Sequence, residues 1–498
     1  MSADRPTDRP AGLVDLVVLG AGPAGLTAAD IAATGGLTVA LVDSGHALGG
    51  QFWRHPPSGS EISGTERFHH DLTAYRRLVA NLERHAASGR LVLRLGHHAW
   101  TAAVVDEGVE LHLVDRRRVG EEQAVVVRGR RLLVATGAHD LQLPFPGWDL
   151  PGVFTAGGLQ ALLKGSGVAG GRRVVVAGTG PFLLPVAVGL ADAKARVVGV
   201  HEANDPRRWL SHATSLARLP GKAVEGAGYA ASLLKHRIPV HVRSAVVAAH
   251  GDDRVEAVTV ARLDRTGVVV EGTQRQIVVD AVGVGWGFTP QLDLAVTLGC
   301  QLASSEDGNC VVAVDEWQRT SVSGVLAAGE TCGVGGAVLA ALEGRLAAEG
   351  LLRDVGSRST SSEGELRRVR RAVTRHRAFA RAMRMAHPVP SGWASWLDSG
   401  TTVCRCEEVT AGAVADVVDA GARDGRQVKQ LTRAGMGWCQ GRICGFAIEC
   451  LARGSVPGVA DPAVAAERLV AAPVLLGTLA APTTNDPPDG QPSRSSAM

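Results

Sequence analysis

The sequence predicts an α/β protein in which two Rossmann-like dinucleotide-binding domains precede a small, α-rich C-terminal domain. Two observations carry this prediction. A glycine-rich turn between a β-branched strand and an apolar helix occurs near residue 20 and again near residue 178, as in βαβ units that bind dinucleotides. Four of the eight cysteines fall between residues 404 and 444, which indicates a separate metal-binding domain.

Length and composition limit the function classes. The 498 residues, 45% of them hydrophobic, suffice for about three domains with buried cores. A net charge of +3 and an aromatic content of 4% argue against nucleic-acid binding. The polar first dozen residues and the absence of an apolar run of about 18 residues predict no targeting or transmembrane segment. We therefore expect a cytoplasmic chain, with membrane association through partners left open.

The first βαβ unit begins with a predicted strand at 13–19, followed by a helix. Gly20 would permit the tight turn, Gly22 would let the backbone approach a pyrophosphate, and Gly25 would let helix and strand pack closely. The helix N-terminus offers free N–H groups to the phosphates. A second strand ends at Asp43, placed to bond a ribose hydroxyl. The unit predicts dinucleotide binding at Gly20, Gly22, Pro23, Ala24, Gly25 and Asp43.

The second βαβ unit, residues 174–202, departs from this pattern at one position. Gly178 and Gly180 are retained, but Leu183 replaces the third glycine, which should push the helix away from the strand. Two interpretations stay open, a site for NAD or an adenine nucleotide and a packing module without ligand. If a nucleotide binds, Glu202 disfavours the 2′-phosphate of NADP.

Further predicted strands that end in glycine turns follow at 132–138 and 278–290. A third ends at Gly329, and an alanine-rich helix follows it. In this order the landmarks resemble the two-dinucleotide-domain flavoproteins of the glutathione reductase type. The resemblance implies that the first unit binds FAD. It places Glu330 by the ribityl and pyrophosphate region, and Trp53 either toward the flavin ring or in the core. The implied additional FAD contacts are Gly50, Gln51, Gly137, Gly329, Glu330, Gly336 and Ala337.

The clustered cysteines form a C-x-C pair and a C-x4-C pair separated by 32 residues: Cys404, Cys406, Cys439 and Cys444. Such thiolates bind zinc or an iron–sulfur cluster, and C-x-C is unusual for structural zinc. The stretch CRCEEVT…GMGWCQGRIC resembles the bacterioferritin-associated ferredoxin-like domain, which implies a [2Fe-2S] cluster. Thr410 is the predicted N-cap of the next helix. We expect this domain to have its own core.

The resemblances, with the composition, divide the chain into parts. These are a disordered N-terminus (1–12), a split FAD-binding domain (13–150 and 285–352), an inserted second nucleotide-type domain (151–284), a linker with an arginine-rich helix (353–399), a [2Fe-2S] domain (400–470) and a disordered tail (471–498). Before residue 400 the chain has no CxxC or CxxxxC motif, so we expect no disulfide reduction. Cys332 is a lone cysteine that could lie near the flavin.

The domain order, with the phrases ATGAHD, PFPGW and AAGETCGVGG, resembles one narrower family. Its members are the A-type (alpha) subunits of opine oxidase, hydrogen cyanide synthase and dye-linked proline or hydroxyproline dehydrogenase. The resemblance implies an electron-relaying subunit of a heteromeric dehydrogenase or oxidase that acts on the C–N bond of an amino acid, imino acid or opine. Its partner would be an amino-acid-oxidase-like flavoprotein subunit, and the electron acceptor is unknown.

No acid–base pair for substrate chemistry is recognisable in the sequence, so no catalytic residue is assigned. This agrees with substrate oxidation on a partner chain. An alternative stays open, a self-contained NAD(P)H-dependent FAD/[2Fe-2S] acceptor reductase. In that enzyme the 174–202 unit would bind the reductant.

Overall fold

The structure is a computed structural model that describes residues 12–56, 62, 64–69, 71–117, 122–304, 310–454 and 470–480. Residues 1–11 of the predicted disordered N-terminus and 481–498 of the predicted tail lie outside the described residues. Two regions of alternating strands and helices confirm the predicted α/β fold class.

Many of the strands form at short runs rich in valine, a β-branched residue that favours strands. In chain order the strands are β1 (Leu13–Val14), β2 (Leu16–Leu19), β3 (Val39–Asp43), β4 (Leu91–Leu95), β5 (His97–Val105), β6 (Gly108–Asp115), β7 (Gln123–Gly129), β8 (Leu132–Val134), β9 (Ala138–Asp140), β10 (Val153–Thr155), β11 (Arg173–Gly178), β12 (Arg196–Glu202), β13 (Val240–Val242), β14 (Ser244–His250), β15 (Ala257–Arg262), β16 (Arg275–Val278), β17 (Ala281–Gly285), β18 (Phe288–Pro290), β19 (Leu302–Ser304), β20 (Cys310–Val312), β21 (Val325–Ala327), β22 (Thr402–Cys404) and β23 (Val409–Thr410). The predicted strand at 13–19 is divided at Asp15, whose carboxylate accepts the Thr38 N–H at 2.8 Å.

Four of the helices follow the glycine turns or the cap that the sequence predicts. In chain order the helices are α1 (Pro23–Thr34), α2 (Leu72–Ala87), α3 (Ala156–Ser166), α4 (Leu183–Asp192), α5 (Ala213–Ala217), α6 (Pro220–Lys235), α7 (Asp293–Thr297), α8 (Ala337–Asp354), α9 (Glu363–Ala386), α10 (Ala411–Asp419), α11 (Gly425–Thr432), α12 (Gly445–Arg453) and α13 (Leu476–Ala480). Thr410 caps α10 as predicted, because its hydroxyl accepts the Ala413 N–H at 3.3 Å. None of these helices is long and apolar enough to cross a membrane.

The first parallel sheet has the strand order β21-β8-β2-β3-β4. Strand β21, which comes last in the sequence among these five strands, pairs with β8. Residues far apart in the chain therefore share one sheet. Because parallel strands end at the same edge, Gly20, Asp43 and Gly329 come together at the carboxyl edge. Helices α1 and α8 pack on each other beside this sheet.

The inserted region forms a second parallel sheet in the order β10-β17-β11-β12-β13. The antiparallel strands β14, β15 and β16 form a further sheet next to it. The strand ends again meet at one edge, which brings the turn at Gly178 beside Glu202. The second nucleotide-type unit therefore has the same architecture as the first.

The cysteine-bearing domain consists of the β22–β23 hairpin and helices α10, α11 and α12. Its buried residues Val414 and Ala447 belong to the same apolar cluster as Val282 of the inserted domain. Trp286, just after the inserted domain, and Trp396, in the predicted linker, belong to the same cluster, and their ring centroids are 5.6 Å apart. The expectation of a separate core is therefore wrong for this pair of domains. So small a domain buries little apolar surface alone and gains more from a shared core.

Residues 471–480 correct the predicted disordered tail. Ala471 and Ala472 are buried, and α13 follows them. The Ala471 N–H donates to the Trp100 carbonyl oxygen at 2.7 Å, and Arg116 Nη2 donates to the Pro473 carbonyl oxygen at 3.1 Å. The proline-rich composition of the C-terminal region suggested disorder. Its first residues nevertheless form a short apolar segment that packs beside β5 and β7.

Candidate functional site

The first glycine turn is open where a dinucleotide would lie. A Cβ atom on Gly20 would stand 2.2 Å from the Ala135 carbonyl oxygen, and one on Gly25 would stand 1.8 Å from the Gly20 carbonyl oxygen. These two glycines therefore allow the close packing predicted for them. A Cβ atom on Gly22 would meet no atom within 4 Å. The missing side chain there leaves space for a group from outside the chain, as a pyrophosphate requires.

Neighbouring residues complete this cradle. Helix α1 begins at Pro23, so its free N–H groups face the open space. A Cβ atom on Gly50 would stand 2.8 Å from the Gly22 Cα. The turn at Gly50 therefore packs directly against the turn at Gly22. The main chain at Ala24 packs against Gly344 of α8. A Cβ atom added to Gly344 would stand 2.1 Å from the Ala24 carbonyl oxygen. Ala24 is buried, so its contribution to a cofactor would come from its backbone.

Asp43 ends β3 beside the cradle. Its Oδ2 accepts the Ala21 N–H at 2.6 Å, and its Oδ1 accepts the Gly45 N–H at 2.6 Å. Burial raises the pKa of Asp43, and the two amide hydrogen bonds oppose that shift. A carboxylate has about four acceptor positions, so two remain for ribose hydroxyls.

A second open surface surrounds Glu330, in the 3₁₀ turn Gly329–Cys332 after β21. Burial raises the pKa of Glu330, while a hydrogen bond from the Gly336 amide lowers it. Gly336 has φ +84°, and a Cβ atom there would meet nothing within 4 Å. Helix α8 begins at the next residue, Ala337. The turn and helix N-terminus thus fit the flavin side of FAD, as the resemblance implied.

Three more predicted positions lie in different surroundings. Gly137 also faces open space, and its N–H donates to the Thr331 hydroxyl at 3.2 Å beside Glu330. Gln51 is exposed, with its Oε1 accepting from Arg54 Nε at 3.0 Å. Trp53 is only 7% exposed and packs in the core beneath the first turn, which confirms the core interpretation of this residue.

Glu343 is a functional-site residue that sequence reasoning missed. Its Oε2 accepts the Gly329 N–H at 3.0 Å, and its Oε1 accepts from Arg377 Nε of α9 at 2.9 Å. Arg384, also on α9, donates to the Val334 carbonyl oxygen at 2.7 Å. The arginine-rich helix therefore braces the Glu330 turn. The available signal was a glutamate among the apolar residues of α8, which also contains the buried Glu349.

Cys332 lies in the same turn. Burial and the nearby Glu343 carboxylate raise the pKa of the Cys332 thiol well above its ordinary value. Because the thiolate is the reactive form, this shift disfavours thiolate chemistry at Cys332.

The second glycine turn differs from the first because another part of the chain covers it. Helix α1 begins at the residue after Gly22, whereas α4 begins three residues after Gly180, at Leu183. A Cβ atom on Gly180 would stand 3.9 Å from the Cβ atom of His387. Leu183 is buried, so its side chain takes the packing position of the third glycine. The displacement of α4 away from the strand stays a prediction.

Residues 387–388, which we call the His387 strap, are held on this turn by several contacts. Asn204 Nδ2 donates to the Pro388 carbonyl oxygen at 2.9 Å and to the Thr179 hydroxyl at 2.6 Å. Trp209 Nε1 donates to His387 Nε2 at 2.9 Å. His387 Nδ1 lies 3.4 Å from the Glu202 carboxylate. The strap therefore lies next to the Gly180 turn, on the side from which a pyrophosphate would approach it.

The structure brings the four predicted ligands together: Cys404, Cys406, Cys439 and Cys444. The Cys439 thiol contacts those of Cys406 and Cys444, and the Cys444 thiol contacts that of Cys404. No three His, Cys, Asp or Glu side chains among the described residues surround one point as a single ion requires. A [2Fe-2S] cluster needs no such point, because it takes two thiolates at each of two irons.

Glycines and one arginine shape the cysteine loop. The Gly435 N–H donates to the Cys404 sulfur at 3.4 Å, a type of bond that tunes cluster potentials. A Cβ atom on Gly437 would stand 2.1 Å from the Cys406 Cβ atom, so only glycine fits there. The guanidinium of Arg442, inside the loop, pairs with Asp293 of α7 at 2.9 Å, a contact that no sequence pattern indicated.

Comparison with known proteins identifies both parts of the chain. Residues 14–344 match the family model of pyridine nucleotide-disulphide oxidoreductases, and residues 402–452 match that of the BFD-like [2Fe-2S] binding domain. The matches confirm FAD and a [2Fe-2S] cluster as the cofactors. The open cradle and the four thiols fit them.

Similar proteins cover nearly the whole chain. It is 33% identical over 437 residues to hydrogen cyanide synthase subunit HcnB from Pseudomonas aeruginosa, covering 86% of this chain and 90% of that one. It is 35% identical over 454 residues to the A-type subunit of opine oxidase from Rhizobium meliloti, covering 88% and 92%. L-proline dehydrogenase from P. horikoshii has the same fold, with a TM-score of 0.67 over 94% of this chain and 80% of that one at 21% identity. The chain therefore belongs to the pyridine nucleotide-disulphide oxidoreductase family, in the group of FAD- and [2Fe-2S]-containing oxidoreductase subunits that includes HcnB and the A-type opine oxidase subunits.

Proposed function

We propose that this chain relays electrons in a heteromeric dehydrogenase or oxidase that acts on the C–N bond of an amino acid, imino acid or opine. The observation that carries the proposal is an open FAD cradle and a four-thiol loop that contacts the same domain. FAD accepts electron pairs and a [2Fe-2S] cluster passes single electrons. Both similar curated proteins are named as subunits, which supports a partner chain.

The residues proposed for each cofactor follow from the geometry. Those for FAD line the open cradle and the Glu330 turn: Gly20, Gly22, Pro23, Ala24, Gly25, Asp43, Gly50, Gln51, Gly137, Gly329, Glu330, Gly336 and Ala337. Those for the cluster are Cys404, Cys406, Cys439 and Cys444. We assign no acid or base for substrate oxidation to this chain, and propose that an amino-acid-oxidase-like flavoprotein subunit performs that step.

Co-expression with such a flavoprotein tests the proposal. We expect the two chains to purify together, and the complex to reduce an artificial dye with members of a panel of amino acids, proline-type imino acids and opines. This chain alone should leave the panel unoxidised. A complex carrying Cys439→Ser here is the matched control, in which the partner's flavin is still reduced by substrate but dye reduction falls. Oxidation at full rate by the single chain would contradict the proposal.

NADH is expected to leave the flavin of the purified chain oxidised. The His387 strap lies against the second turn, and the Glu202 carboxylate already accepts the Gly180 N–H at 2.8 Å. That amide would otherwise be free to bind a phosphate. Stopped-flow absorbance after mixing with NADH measures the outcome, and photoreduction of the same sample shows that its flavin can be reduced.

A variant of the strap sharpens this test. His387→Gly removes both the Cβ atom over Gly180 and the imidazole beside Glu202, so NADH binding, measured by equilibrium titration, is expected to exceed that of the original chain. Fast flavin reduction by NADH in the original chain would instead favour the self-contained reductase. That outcome would show that the strap does not block the site.

A further inference from the structure

Arg442 connects the cysteine loop to the FAD domain through both its side chain and its backbone. It lies between Cys439 and Cys444 in the chain. Its Nη2 and Nε donate to Asp293 Oδ2 at 2.9 and 3.2 Å, and Nη2 also donates to the Ala471 carbonyl oxygen. Its own carbonyl oxygen lies 3.2 Å from His139 Nε2. One residue of the ligand loop therefore contacts three separate segments.

These segments lead directly to the proposed flavin site. His139 lies in β9, which pairs with β18 just before Asp293. The Gln291 N–H, between β18 and α7, donates to the Gly137 carbonyl oxygen at 2.9 Å. The Gly137 N–H in turn donates to the Thr331 hydroxyl, next to Glu330. A continuous chain of short contacts thus joins the cysteine loop to the open surface around Glu330.

The surroundings of this contact distinguish it from a surface ion pair. The side chains of Arg442 and Asp293 are 21% and 12% exposed, and the guanidinium also donates to the Cys439 carbonyl oxygen at 3.4 Å. Arg433, elsewhere in the same domain, pairs with Glu407 but has a 69% exposed side chain. An exposed pair of that kind contributes little to stability. The Arg442 pair instead combines partial burial with a place inside the ligand loop.

We propose that Arg442 is a positioning residue that holds the cysteine loop on the FAD domain, and so sets the path of electrons between flavin and cluster. The inference rests on the proposed ligation of the cluster by the four cysteines. Removing the guanidinium alone would leave the Asp293 carboxylate without its charge partner beside the loop. Because reduction makes the cluster more negative, loss of the positive charge should disfavour the reduced form and lower the cluster potential.

The test uses the full chain with both cofactors and the variants Arg442→Gln, Arg442→Lys and Asp293→Asn. Flavin-to-cluster electron transfer is followed after flash photoreduction. Cluster potential is measured by redox titration, and iron, sulfide and FAD contents are determined on the same samples. We expect transfer to slow at least about tenfold in Arg442→Gln and in Asp293→Asn, because displacement of a positioned group costs rate steeply. The potential should fall in Arg442→Gln.

The conservative and control variants make the result specific. Arg442→Lys keeps the charge but not the forked geometry, so it should retain the potential and recover only part of the rate. Arg433→Gln, with no contact to Asp293, should behave as the original chain. In the double variant of Arg442→Gln and Asp293→Asn, flavin-to-cluster transfer should be no slower than in either single variant. The two residues form one contact, so losing the second partner adds no further loss.

Failure of this inference differs from failure of the proposed function. An original chain without iron and sulfide would overturn cluster ligation itself. With the cluster present, transfer rates within about twofold of the original in both Arg442→Gln and Asp293→Asn would overturn the positioning role. If Arg442→Gln does not assemble the cluster, Asp293→Asn decides alone, since its substitution lies outside the ligand loop.

Discussion

Cys439→Ser is expected to yield a chain that binds FAD and holds no [2Fe-2S] cluster. The Cys439 thiol contacts those of Cys406 and Cys444, so its loss leaves one iron without a complete ligand set. FAD should remain, because the apolar core beneath the first glycine turn is built from residues before 353. Iron and sulfide analysis, the electron paramagnetic resonance of the reduced protein and FAD released on denaturation measure the outcome.

Cys450→Ala is the matched control. Cys450 is buried in α12 of the same domain but lies outside the two cysteine pairs. Removing its sulfur costs stability, about 1 kcal/mol, and should leave iron and sulfide unchanged. Joint loss of FAD and iron in Cys439→Ser would show that the flavin site depends on the cysteine domain. Zinc without iron in the original chain would establish the zinc alternative.

Gly22→Val is expected to abolish FAD binding and leave the apoprotein folded. Gly22 is the N-cap of α1 with φ −78°, a conformation that any residue adopts, and its missing Cβ atom faces open space. A valine side chain would fill the space proposed for the pyrophosphate. We expect affinity for FAD to fall at least about 100-fold, equivalent to roughly 3 kcal/mol. Titration of the apoprotein with FAD by flavin fluorescence measures this loss.

Two comparisons separate a blocked site from a damaged fold. Gly22→Ala adds less volume and should weaken FAD binding less than valine does. Thermal unfolding of the apoproteins should show only the loss of a good helix N-cap, about 1 kcal/mol. Gly25→Val should instead disrupt the fold, because its Cβ atom would overlap the Gly20 carbonyl oxygen. Undiminished FAD binding by Gly22→Val would place the cofactor elsewhere.

Much of the fold and of the cofactor sites could be predicted because the signals are local. Gly25 meets its requirement within one turn of chain, because it packs directly on the Gly20 carbonyl oxygen. Thr410 needs only the three residues after it to cap α10. The paired cysteines indicate a metal site by spacing alone. Such features depend on neighbours in the sequence, and the structure reproduces them.

Other features depended on residues distant in the chain. The strap over Gly180 comes from His387, and the brace on Gly329 comes from Glu343 and Arg377. Neither belongs to a motif. Residues 471–480 looked like the start of a disordered tail, yet Ala471 packs beside Trp100. Spacing says nothing about such contacts, because a side chain's distant neighbours exist only once the domains have packed.

The family, the two cofactors and the residues proposed to hold them follow from the amino-acid sequence, since phosphate turns and thiolate pairs are built from consecutive residues with definite geometry. Which of two similar turns is open, and how the cluster domain meets the flavin domain, depends on tertiary packing. Gly22 and Gly180 have similar local sequences, but His387 lies over only the second. Occupancy of space and contact between domains are properties of packing, and packing joins residues that the sequence keeps apart.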